Sequence, residues 1–392
     1  MWFVFVTAGL VLVGIAGTYT ARRIATALRE FGVREQRIRL MRWLIHWLLF
    51  GYPLVMIVAI VISLLLGSES FPRFDGLLGG WLLAFPFAWA VLVVVQSLPW
   101  LVAIDLVHVI ARRRGGRTRP MAMLAVIAAF AIYTPVRIAV EHERLRIRHH
   151  QIGSGAAPFR IAFIADIQQD VHTDADRARE VYALVNANRP DIVLSGGDWI
   201  NAGPEYIQSA AQAAGTLSSR LGTFSVRGDH EHFAYVDQER SVAEIEQAMK
   251  SHGIAILNNE VRWFDHAGKR IAVVFLNYNY IHRTDAATIA MLVASVAHAD
   301  YRIAVTHQFD ARLAALLENK IDLVLAGHTH GGQVNPVAGL VHVNLARLET
   351  KYVDGRYQLG NTTIIVTAGV GYSIVPFRYA APGSIELIEL SP

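Results

Sequence analysis

The chain has 392 residues, 53% of them hydrophobic, with a formal net charge of +4 and no cysteine. That length fits two or three domains, and a mean hydropathy of +0.34 is too high for a chain lying wholly in water, so part of it belongs in lipid. Without cysteine there are no disulfides, thiolate metal sites or cysteine nucleophile, and any metal must take oxygen and nitrogen ligands.

Residues 2–20 are an apolar run of spanning length containing Gly9, Gly14 and Gly17, with no basic residue ahead of it as a secretory signal peptide requires. The run reads as an uncleaved first span. Arg22, Arg23, Arg29, Arg34, Arg37, Arg39 and Arg42 follow. A second run, 43–66, is interrupted only by Gly51 and Pro53, which membrane helices tolerate. After a polar connection with Glu69, Arg73 and Asp75 comes a third run, 81–110, whose Asp105 and His108 require a polar partner or the interface. Reading them as a proton relay is less favoured than reading them as helix-end residues. Arg112, Arg113, Arg114, Arg117 and Arg119 precede a fourth run, 121–140, kinked by Pro135 and carrying Arg137 near enough to its end to snorkel. Arginines thus crowd the connections after the first and third runs. The positive-inside rule puts those connections in the cytoplasm and everything after the fourth run outside, against the counter-signal of Arg144, Arg146 and Arg148, partly offset by Glu141 and Glu143. This topology also accounts for the basic excess without nucleic acid. The expectation is an all-α transmembrane domain of four helices over 1–140, a linker at 141–157, and a second domain over 158–392.

From about residue 158, short β-rich runs alternate with amphipathic stretches, predicting an α/β domain. Strands are expected at 160–166, 191–196, 222–227, 270–277, 301–307, 322–326, 362–368 and 384–390, and helices at 175–188, 204–219, 241–251, 285–299 and 311–320. Chemistry-bearing residues recur at strand ends. Asp166 ends the first strand, Asp198 follows the second, Asp229 and His230 the third, His307 closes a later one, and His328 and His330 follow 322–326. Ligands of open α/β sheets bind outside the carboxyl ends of strands, so these residues should share one rim. Each alone reads as a turn, a cap or a structural histidine. Together, carboxylates and imidazoles without thiols suit two divalent cations such as Mn, Fe or Zn.

The order Asp166-Ile167-Gln168, Gly197-Asp198, Gly228-Asp229-His230-Glu231, His307, Gly327-His328-Thr329-His330 resembles the calcineurin-like metallophosphoesterases, in their membrane-attached bacterial branch. The tail, with Lys351-Tyr352, Gly355, Tyr357, Gly369, Gly371, Pro376 and Arg378, is similar to that branch too. The resemblance implies a metallophosphoesterase-type two-sheet β-sandwich flanked by helices, and hydrolysis of phosphomonoesters or phosphodiesters by a metal-activated hydroxide. By the same resemblance Asp166, Gln168 and His330 hold a first metal, Asp198 bridges, Asp229, His307 and His328 hold a second, and His230 is the catalytic acid. Gln168 stands where the family has His, which weakens the first site, and Asp229 where it has Asn, which strengthens the second. His172 is a distant substitute for the missing imidazole, and Arg227 and His232 flank the same loop as His230. The implied setting is a bacterial inner or plasma membrane, with the catalytic domain extracytoplasmic, the bilayer as partner, and a phosphorylated substrate, lipid or cell-envelope phosphates included. The alternative is a non-catalytic membrane sensor or scaffold with the same fold, motivated by Gln168. Transport is disfavoured, because the spans lack a set of intramembrane charges.

Overall fold

The structure, a computed structural model, describes residues 2–391 except 71, 74–75, 77–78, 111–115, 143, 154–157 and 374, without the side chains of residues 2–8. Asp75, Arg112, Arg113, Arg114 and Glu143 of the expected topology therefore lie outside the described residues. The chain divides into two units: Met1–Leu66, Pro72–His142 and Val334–Asn344 in one, and Gly67–Phe71, Glu143–Gln333 and Leu345–Pro392 in the other.

In the first unit, α1 (Trp2–Glu30) and α2 (Glu35–Leu65) are followed by a π-helical turn, Gly80–Ala84, that runs into α3 (Phe85–Ile110), and then by α4 (Thr118–Glu141). Among the described residues, Glu35–Leu65, Gly80–Ile110 and Thr118–Glu141 are long and apolar enough to cross a membrane. The other expected span, 2–20, lies within α1. Gly14 and Gly17 let α1 approach α2, since a Cβ on Gly17 would strike Leu49 and one on Gly14 would sit 3.0 Å from Phe50. Asp105 receives the polar partners that a carboxylate in a span requires, from Arg23 and Arg119, each at 2.5 Å, and the Tyr19 hydroxyl at 2.6 Å. Arg137 pairs with Glu141 at 2.6 Å.

In the second unit, β1 (Leu145–Gly153), β2 (Phe159–Ile164), β3 (Ile192–Ser195), β4 (Thr223–Ser225) and β5 (Ile254–Ile256) join the last strand, β14 (Gly383–Ser391), in the order β1-β14-β2-β3-β4-β5. The other six-stranded sheet has β6 (Glu260–His266), β7 (Lys269–Leu276), β8 (Tyr301–Thr306), β9 (Leu323–Ala326), β12 (Gly355–Leu359) and β13 (Thr362–Val366) in the order β12-β13-β9-β8-β7-β6. Strands β2 to β5 are mutually parallel, as are β7, β8, β9 and β13, so their C-terminal ends share a direction within each sheet.

The two-residue period of a strand builds the layers. Phe159, Ile161 and Phe163 of β2 meet Ile271, Val273 and Phe275 of β7 in a core between the sheets. The intervening Ala162 and Ile164 pack on α5 (Ala175–Ala187), α6 (Ile207–Ala214) and α7 (Gln238–Ser251). On the far side, Ala272 and Val274 pack on α8 (Ala286–Ser295) and α9 (Ala311–Leu317). Asp174, Asp237, Asp285 and Asp310 accept backbone N–H groups at the starts of α5, α7, α8 and α9, which fixes where these helices begin. All the strands expected from 160 onward form, and the expected helices form with shorter bounds, except the one expected at 241–251, which begins earlier at Gln238. The linker expected at 141–157 is not one throughout: β1 pairs with β14 in parallel from Leu145↔Gly383 to Gly153↔Ser391. Its arginines read as a charged flank, yet β14 sends Ile385 and Leu387 into one core and Ile388 and Leu390 into the other, and β1 covers its otherwise open edge. Strands β5, β6 and β12 escape expectation because they are short or lie at sheet edges with polar outward positions.

Two further strands, β10 (Val337–Ala338) and β11 (Val341–His342), make an antiparallel hairpin. The hairpin lies in Val334–Asn344, a segment that belongs to the first unit although the residues on either side belong to the second.

Candidate metal centre

The strand-end residues converge as expected. Two groups of potential ligand atoms form, Asp166 with Asp198 and His330, and Asp229 with His307 and His328. In the second group Asp229 Oδ2 is 2.9 Å from His328 Nδ1 and 3.2 Å from His307 Nε2, and the two ring nitrogens are 3.2 Å apart. Ligands about 2.0–2.1 Å from one metal lie roughly 3 Å from one another, so these spacings fit a single ion. The first group is looser, with His330 Nε2 4.0 Å from Asp166 Oδ1. Asp198 lies between the groups, with Oδ2 3.6 Å from His307 Nε2 and 4.0 Å from His230 Nε2.

Gln168 is fully buried, and its amide nitrogen donates to Asp198 Oδ2 at 3.1 Å. Its Oε1 is buried without a hydrogen-bond partner among the described residues. A buried acceptor with no donor is costly. A cation beside Asp166, Asp198 and His330 would satisfy it, so the residues present fit a metal pair. His172 is in neither group, and its backbone N–H donates to Asp170. Arg227 is engaged by Glu246 at 2.6 Å, and His232 is buried on the neighbouring turn.

The backbone is bent for this convergence. Asp166, Gln168, Asp198, His328 and His330 all adopt positive φ, a conformation that costs non-glycine residues on the order of 1–3 kcal/mol each. Two glycines make room: a Cβ on Gly228 would collide with Asp198 Oδ1, and Gly369, at φ +66°, would place one 2.6 Å from Asp166 Cβ.

Several positioning residues are absent from the sequence-based set. Glu349 accepts from His328 Nε2 at 3.1 Å and from the Gln308 amide, directing His328 Nδ1 at Asp229. Glu231 is buried and accepts the backbone N–H groups of Asp198, Trp199 and Gly228, pinning two metal-loop turns together. Arg378, only 1% exposed, donates to the carbonyls of His330, Ala368, Gly371 and Ala381. Glu231 and Arg378 stood inside quoted motifs, whereas Glu349 carried no signal in the sequence. His230 is held by two contacts: its N–H donates to Asp198 Oδ1 at 2.8 Å, and its Nδ1 meets the Asn201 carbonyl. Asn201 is itself tied to Asp170 at 2.7 Å. Nε2 of His230 is left facing Asp198.

The electrostatics split the two groups. Burial and repulsion from Asp198 push the Asp166 carboxyl up to about 6. Burial opposes charge on Asp229 as well, but His328 and His307 hold it well below the usual carboxylate range. Burial disfavours the charged forms of His307 and His328; their carboxylate neighbours, Asp198 and Asp229 for the first and Asp229 for the second, overcome it and raise both, His328 to about 10. His330 goes the other way, pushed well down by burial and the Arg378 cation. Protons on the imidazoles of the second group thus stand where cationic charge is called for.

Residues 159–332 match the profile of the calcineurin-like phosphoesterase family. The chain is 26% identical to an uncharacterized metallophosphoesterase of Campylobacter jejuni over 68% of this chain and 68% of that one. It is 28% identical to a phosphodiesterase of Escherichia coli, over 63% of this chain and 88% of that one. A zebrafish protein described as a transmembrane protein with a metallophosphoesterase domain is 26% identical, over 68% of this chain and 61% of the relative's length.

Proposed function

Residues 159–332 are a calcineurin-like phosphoesterase domain carried by a membrane protein, a hydrolase of phosphoric esters, and from that premise we propose that it cleaves phosphomonoesters or phosphodiesters at a pair of divalent cations on the extracytoplasmic face of the membrane. The observation that carries this reading is the convergence of two donor groups around Asp198, beside which the Gln168 amide is buried with its oxygen unpartnered. Asp166, Gln168 and His330 would hold one cation, Asp229, His307 and His328 the other, and Asp198 both; Mn, Fe or Zn suits these donors. When bound, such cations supply Lewis acidity to the phosphoryl oxygens and make water acidic enough to act near neutral pH.

The rest of the work falls to side chains. His230, oriented by the Asn201 carbonyl, presents Nε2 as the atom that stabilises charge on the leaving oxygen or hands it a proton, a contribution on the order of 10²- to 10⁴-fold. Water adds its oxygen to phosphorus, the ester oxygen leaves with a proton, and phosphate or a monoester remains. Glu349 and Arg378 fix the ligand imidazoles before substrate arrives. The scaffold alternative rested on Gln168 as a lost ligand, but its side chain keeps an oxygen available at the site. Membrane attachment supports lipid-linked or cell-envelope phosphates as substrates.

The test is metal analysis coupled to hydrolysis of bis(p-nitrophenyl) phosphate and p-nitrophenyl phosphate with Mn²⁺. About two ions per chain and turnover that His330→Ala abolishes are expected. Bound metal with neither ester hydrolysed would sink the reading.

A further inference from the structure

Residues 331–346 contain no aspartate, glutamate, lysine or arginine, and they leave and re-enter the chain beside the metal centre. Three residues ahead of Val334 lies Gly331, directly after the candidate ligand His330. Gln333 is anchored by donating its amide to the carbonyls of Ser373, Val375 and Phe377. At the far end the turn Leu345–Leu348 leads straight to Glu349, the residue that binds His328. Between these anchors the chain makes the β10–β11 hairpin, grouped with the membrane helices.

Three features suit that hairpin to lipid. Its turn residue Gly339 lies against α3, where an added Cβ would be 3.4 Å from Pro99, and Pro99 is inside the candidate span Gly80–Ile110. Its tip is apolar and open, with Leu340 93% and Val341 65% exposed. Part of its backbone is paired internally, through Val337↔His342 and Ala338↔Val341 and the Val343 N–H donated to Pro336, which lowers the cost of bringing it to lipid. Leu345 and Leu348, 66% and 70% exposed, lie in the turn that precedes Glu349.

We infer that Val334–Asn344 is inserted among the acyl chains of the bilayer and so ties the loop that carries His330 to lipid through a short chain connection, and that the substrate is a membrane lipid bearing a phosphate ester. Acyl chains surround Leu340 and Val341 at the hairpin tip, and the chain runs from Val334 back to His330 within four residues. The substrate part of this inference rests on the phosphoesterase reading above. The insertion part does not.

The chain has no cysteine, so Leu340→Cys gives a single site for an environment-sensitive nitrobenzoxadiazole label. In the full-length protein reconstituted into phosphatidylglycerol/phosphatidylethanolamine vesicles, lipids carrying a doxyl group on the acyl chain should quench the label. An unquenched label overturns insertion whatever the activity. Turnover of dioleoyl phosphatidate and dioleoyl phosphatidylglycerol in mixed micelles is then compared with that of bis(p-nitrophenyl) phosphate. The double substitution Leu340→Asp and Val341→Asp should lower the ratio of lipid to soluble-ester turnover at least about tenfold. An unaltered ratio, or a wild-type protein that hydrolyses the soluble ester and neither lipid, overturns the substrate assignment. If neither ester class is hydrolysed while the label is quenched, the phosphoesterase reading fails and insertion stands.

Discussion

Gln168 stands where the motif it resembles calls for an imidazole, and its oxygen is a poorer donor than an imidazole for Zn or Fe. Gln168→His should raise affinity at the first position by about tenfold or more, seen as a second ion retained through gel filtration; one retained ion in both proteins would show that Gln168 does not face that metal. Glu349→Ala should weaken binding at the other position by about 10- to 100-fold, because His328 loses the acceptor that aims its Nδ1. Proton linkage separates the two positions further. His328 is raised to about 10 through Asp229 and Glu349 against the cost of burial, so a metal entering there displaces a proton throughout the neutral range, and its affinity should climb with pH. The metal-free protein responds oppositely. An imidazole raised in the folded state stabilises fully below its unfolded pKa near 6.5, and this stability drains away as pH rises toward 10. Thermal unfolding of chelated protein between pH 6.5 and 10 should therefore show a falling Tm that metal-loaded protein lacks.

At the level of elements, the rim of strand ends was legible because chemistry and apolar runs alternate in a fixed rhythm: Asp166 after β2, Asp198 after β3, Asp229 after β4, His307 after β8 and His328 after β9. What was not legible depends on contacts distant in sequence. Glu349 sits on an unremarkable turn and acquires meaning only by reaching His328, and β1 looked like a charged flank because its role is to cover β14. The hairpin had a sequence signal, an uncharged stretch with Asn335-Pro336 and Ala338-Gly339, but nothing local tied it to lipid. The turns between strand and ligand hold the strain, and they limit substitution. Gly369→Ala would force a side chain toward Asp166 at positive φ and should cost about 1–3 kcal/mol in a denaturant melt. By contrast Phe163→Ala, between the sheets and fully buried, should cost about 3–5 kcal/mol.

For the whole molecule, orientation decides which pool of phosphate esters the centre meets. Arginine placement in the membrane unit motivates an extracytoplasmic domain. A cysteine placed at exposed Glu239 at the start of α7 should react with a membrane-impermeant maleimide in intact cells; labelling only after lysis would put the domain in the cytoplasm. The pairing of β1 with β14 carries a consequence for how the protein is made. The strand that leaves the last membrane helix is translated before the domain, and its partner is translated after nearly all of it. Until β14 arrives, β2 and β1 both wait with open edges, and the sheet is closed by its most non-local contact, the kind that slows folding and exposes strands meanwhile. Nascent chains arrested before residue 383 should therefore remain protease-sensitive at the membrane, and the domain should become resistant in one late step when β14 slots between the strand that follows the last membrane helix and the strand that leads into Asp166.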